Sequence, residues 1–204
     1  MYPVHFIVDR PKSFSRLQLL VRVIAFMALG VVGVSFGMVF LFAYLALPVF
    51  ATSRLAASAT PEDYAETDGP RVLTVLRWFA AICAWAGLVA ESLPGRKPDE
   101  SVRLEVDRLT ATSASNAPWR VLTGLPSALV LALLGWIGVF VWLWAALSIL
   151  VAQRVGPRAF RYLVGLQRWS IRLLVYQACL VEEYPPFSFE DASSPTTLPR
   201  ASVV

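Results

Sequence analysis

Two long runs without a single charge limit what this chain can become. VIAFMALGVVGVSFGMVFLFAYLALPVF (23–50) extends over 28 residues, and VLTGLPSALVLALLGWIGVFVWLWAALSILVA (121–152) over 32. A helix needs ~20 apolar residues to cross a bilayer, so each run predicts a membrane helix. Composition agrees: the chain is 57% hydrophobic and 16% charged, against ~25% charged for soluble domains. The net charge of +4 could suggest a nucleic-acid partner. The basic residues flank the apolar runs, however, where they meet anionic lipid headgroups. The first 22 residues carry His5, Asp9, Arg10, Lys12, Arg16 and Arg22, and the following run is too long for a cleavable signal core.

The chain resembles itself. HFIVDR (5–10) and RLEVDR (103–108), Arg22 and Arg120, and Gly37 and Gly135 are each 98 apart. Arg77-Trp78 and Arg168-Trp169, Glu91 and Glu182, and Pro94 and Pro185 are each 91 apart. Collinear matches at two offsets predict a tandem duplication, residues 1–98 and 99–190, with a loop seven residues shorter in the second copy. A Ser/Thr/Pro-rich tail, 191–204, is expected to be disordered.

Each half opens with strand-like alternation: Val102, Leu104 and Val106 alternate with Arg103, Glu105 and Asp107, and 2–8 does so more loosely. A long span follows, about 23–50 or 121–152, then a second helix, about 71–92 or 159–182. The expected fold is mainly α and integral to the membrane: four membrane helices from two parallel tandem repeats, with short β segments on one membrane face. Lys and Arg outside these spans number ten on the face of the termini and five on the other. The positive-inside rule then places both termini in the cytoplasm of a multi-pass protein of the bacterial inner (plasma) membrane. Trp142 and Trp144 are expected near one interface.

The second helices carry the unusual residues. Arg161, Arg168 and Arg172 share one helical face. Their spacing supports either snorkelling to headgroups or an inward cluster that pairs across the two halves, drawn from Arg77, Glu91, Arg168, Arg172, Glu182 and Glu183.

YPV near the start, the basic residues before the first span, RW-S-x-R in the last helix and EEYPPFSF at its end together resemble an uncharacterised bacterial membrane family, domain of unknown function 4389. The match runs through Trp169, Tyr176, Tyr184, Pro185, Pro186 and Phe187, with Arg168, Arg172, Glu183 and Ser188. The first half ends in Glu91-Ser92-Leu93-Pro94 instead. The resemblance implies a membrane protein and supplies no chemistry.

No catalytic constellation, cofactor motif or metal-ligand spacing emerges. His5 reads as structural, and Cys83 and Cys179 read as small apolar packing residues. Gly33 and Gly37 read as a helix-packing pair, and PEDYAETD (61–68) as a solvated loop. The expected role is an accessory, scaffold or assembly subunit in the cell envelope. Its partners would be the bilayer and either a membrane protein or a second copy. The alternative is a small transporter, channel or lipid-handling protein that uses the arginines.

Overall fold

The computed structural model describes residues 2–31, 35–98, 102–110 and 112–190. Along the chain these form β1 (Val4–Val8), α1 (Arg16–Val31), α2 (Phe36–Ala57), α3 (Pro61–Thr67), α4 (Gly69–Ala86), β2 (Val102–Val106), α5 (Arg120–Ala152) and α6 (Pro157–Gln177). The protein is mainly helical with one small two-stranded sheet. The tail expected to be disordered, 191–204, lies outside the described residues.

Gly37–Ala57 and Arg120–Ala152 are long and apolar enough to cross a membrane. Only 22% and 17% of their most apolar stretches are buried, so their outer surfaces are open. The second run forms one rod of 33 residues, about 50 Å long. The first does not form the expected single span over 23–50. Ser35 is extended, and its side chain accepts from Met38 N to cap α2. Gly33 lies outside the described residues. Gly37 is exposed, and among the described residues only Ser35 Oγ lies within 4 Å of an added Cβ.

Three contacts set the direction of the rods. Arg16 Nη2 donates to Val151 O, Phe26 meets Trp142 edge-to-face at 5.6 Å, and Tyr44 donates to Val121 O at 2.5 Å. Going forward through α1 and α2 means going backward through α5. The two apolar runs are therefore antiparallel. The expected parallel arrangement, and the sidedness counted from it, assumed that both runs point the same way. Charges near the chain ends report which residues are polar, but not which end of another helix they meet.

α4 and α6 form a second layer against this pair. Tyr162 donates to Leu134 O at 2.7 Å, and Tyr176 and Thr123 hydroxyls lie 2.9 Å apart, so α6 runs antiparallel to α5. Gln167 Nε2 donates to Cys83 O at 2.7 Å and ties α6 to α4. Both helices stop short of the expected 92 and 182. Leu88 and Cys179 adopt left-handed φ angles of 59° and 58°, which ends a helix. Neither is glycine, so the stop carries no sequence signal.

The third layer is extended chain. β1 and β2 pair antiparallel, with Phe6 opposite Leu104. Val4, Phe6, Val102 and Leu104 are buried while Arg103 and Glu105 face out, as the alternation predicts. The stretch 61–68 is not a loop: α3 opens with a reciprocal capping box between Thr60 and Asp63, and Tyr64 and Asp68 are buried.

Candidate functional site

The buried arginines of the described structure donate to backbone carbonyls. A helix leaves its last carbonyls unpaired and carries negative partial charge there, so a cation at that end satisfies both. Arg22, 1% exposed, donates to Ala90 O at 2.6 Å and to Glu91 O at 2.5 Å, beyond the end of α4. Arg120 donates to Tyr176 O and Val181 O, both at 2.6 Å, at the end of α6. Each guanidinium also lies over a ring, Arg22 over Trp85 at 5.3 Å and Arg120 over Tyr176 at 4.3 Å. Charge-assisted bonds of this kind contribute ~1.5–3 kcal/mol each.

The two helix ends share one hydrogen-bond pattern. Gly87, Leu88 and Val89 N donate to the carbonyls of Cys83, Trp85 and Ala84. Ala178, Cys179 and Leu180 N donate to those of Leu174, Tyr176 and Val175. Tyr64 reaches the second end, donating to Ala178 O at 2.8 Å, and burial raises its phenol. Burial also pushes the Cys179 thiol up to about 11, against a smaller opposing pull from Arg120. Neither cysteine is in a disulfide; both are buried.

Arg77, Arg168 and Arg172 hold the ribbon. Arg168 Nε donates to Phe6 O at 3.2 Å, and Arg77 Nε to Leu104 O at 3.0 Å. The helix of the second half grips the strand of the first, and the reverse. Arg172 donates to Val4 O at 3.4 Å and lies 5.6 Å from the Tyr2 ring. All three donate to backbone carbonyls of the ribbon. Glu91 offers its backbone oxygen to Arg22, and Glu182 and Glu183 are exposed.

The stretch YPPFSF folds back along α6 through a chain of ring contacts. Tyr176 meets Tyr184 at 5.6 Å, Tyr184 meets Phe187 at 5.9 Å, and Phe187 meets Trp169 at 5.2 Å. Phe189 then meets Trp169 and Tyr162. Pro185 is buried and Pro186 half-buried. Tyr184 also shares a 2.6 Å hydrogen bond with Ser127. Arg168 and Arg172 complete the strap by donating to Phe189 O at 2.7 Å and Glu190 O at 3.1 Å. Gly165 lets the strap approach: a Cβ there would lie 2.6 Å from Phe189.

The segment from α5 through this strap is also the one that known proteins share.

Residues 115–188 match the family model of a domain of unknown function, DUF4389.

The DUF4389 segment takes in α5, α6 and the strap as far as Ser188, including Trp169, Tyr176, Tyr184, Pro185, Pro186 and Phe187. Comparison with curated proteins and with solved structures found no match. Sequence reading missed Arg22 and Arg120 as a structural pair, although the repeat alignment had matched them. The Trp142 indole donates to Ala86 O at 2.9 Å, and Trp144 is exposed. His5 pairs with Asp107 across the ribbon at 3.1 Å.

Proposed function

We propose that this is a membrane-embedded scaffold or assembly subunit of the bacterial inner membrane, with no catalytic step of its own. One observation carries the reading: the large exposed apolar side chains concentrate on α1, α2 and α5, among them Met27, Phe42, Leu133, Trp136 and Phe140. An apolar surface of this extent marks a lipid or protein contact. The outward ribbon residues Arg103 and Glu105, with the exposed Phe187 of the strap, leave a mixed polar and aromatic face for a partner protein.

The arginines favour this reading over transport. A transport site needs charge presented to a passing ligand, whereas Arg22, Arg77, Arg120, Arg168 and Arg172 each donate to backbone of this chain. Duplication of an ancestral unit accounts for the matching helix ends and the reciprocal strand grips.

Two measurements test the proposal. Membranes washed with alkaline carbonate should retain the protein, and mild detergent should release it with a stoichiometric partner identifiable by mass spectrometry. Recovery of the protein alone and monomeric across several mild detergents would count against a scaffold role.

A further inference from the structure

We infer that the apolar layer lies in the plane of one leaflet, so that the protein is embedded from one side of the membrane without crossing it. This rests on the membrane-embedded reading above and specifies its geometry.

The first argument is the height of the ribbon. Arg168, which holds β1, lies between Tyr162 and Tyr176 on α6, and these pair with Leu134 and Thr123 of α5. The ribbon is therefore level with the stretch of the long rod between Thr123 and Leu134, in its first half and inside both ends. A crossing α5, centred on the bilayer, would carry it to ~10 Å from the bilayer centre, still inside the ~15 Å half-thickness of the hydrocarbon. There Arg103 and Glu105, both exposed on β2, would face hydrocarbon. A charged side chain at that depth costs ~2.5–3.5 kcal/mol even on the mildest scale. The extended backbone of the strap would also lie where lipid-exposed irregular chain does not occur. Laid flat, the same molecule turns the ribbon and strap to water and the rods to acyl chains, as in-plane amphipathic helices do.

The second argument is length. α5 has 33 residues, about 50 Å, and its last 32 carry no charge. The hydrocarbon core is ~30 Å thick, so an upright rod would push apolar side chains beyond it. In the plane there is no such limit.

The third is charge. Arg16 and Arg158 lie near one end of the rod pair, and Arg54 and Arg71 near the other; all are exposed. A flat molecule presents both ends to the anionic headgroups of the same leaflet.

Single cysteines at Glu62, Gly156 and Glu105 in the full chain report the two ends and the ribbon. Intact spheroplasts and inverted vesicles are each treated with a membrane-impermeant maleimide, with the native chain and its two buried thiols as the control. All three sites should label in one preparation and resist labelling in the other. Labelling of Glu62→Cys and Gly156→Cys from opposite sides would overturn the inference. Spin labels at Leu122, Leu133 and Trp144 give an independent reading: equal depths are expected, and a deep centre with shallow ends would overturn it. The wider reading fails differently, since release by carbonate sinks both, whereas retention with opposite-side labelling sinks only the in-plane geometry.

Discussion

Arg120 secures the last turn of α6 from 56 positions earlier in the chain, with its Nη1 2.6 Å from Tyr176 O and its guanidinium 4.3 Å from the same residue's ring. One side chain thus satisfies a carbonyl, balances a helix end and covers an aromatic face. Arg120→Ala should destabilise the protein by ~2–4 kcal/mol, because two buried carbonyls lose a charged donor. Arg120→Lys should recover only part of this, since an ammonium lacks the planar fork. Denaturant titration in detergent, followed by tryptophan fluorescence, measures both.

Arg168→Ala should loosen the ribbon and the strap together, since the one guanidinium donates to Phe6 O and Phe189 O. A loss of ~2–4 kcal/mol is expected, with faster proteolysis near both Asp9 and Glu190. A near-neutral effect would return Arg168 to a lipid-facing role.

Gly165→Ala places a methyl group 2.6 Å from Phe189. Overpacking of this kind costs ~1–3 kcal/mol. The strap should yield first, so limited proteolysis should release the C-terminal segment before α6 unfolds.

Gln153→Gly should stabilise. Gln153 ends α5 at φ 53°, is exposed, and contributes to packing through its backbone, which accepts from Phe14 N. Glycine adopts that conformation without a Cβ penalty, for a gain of ~0.5–1 kcal/mol. Thermal unfolding in detergent reads the difference.

Burial raises the Cys179 thiol from 9.0 to about 11. The folded state thus holds a proton that the unfolded chain gives up. Its contribution to stability is complete below about pH 9 and is lost as pH rises towards about 11. Stability measured across this window should fall, and Cys179→Ala should flatten part of the slope.

The apolar runs, the strand alternation and the start of each second helix were legible because each depends on neighbours in sequence. The missed features depend on tertiary partners. Leu88 and Cys179 end their helices although nothing local demands it; the packing around them does. The break at Ser35 did have a local signal, a serine cap between Gly33 and Gly37, but the hydropathy around it hid the interruption. The bonds from the arginines to backbone carbonyls were not legible. Carbonyls at a helix end or along a strand leave no mark on the residue letters, so sequence reasoning looked for carboxylates. The direction of α2 against α5 could not be read at all, because length and hydropathy are the same in either direction.

The grip of Arg168 on Phe6 spans 162 positions of the chain. During synthesis the strand is made well before the residue that holds it. At ~5–20 residues per second, the strand waits on the order of ten to thirty seconds for its partner. The apolar rods emerge during that interval, so on the membrane-embedded proposal they meet lipid before the polar layer above them can close. The order of manufacture then puts contact with lipid ahead of the grip on the strand.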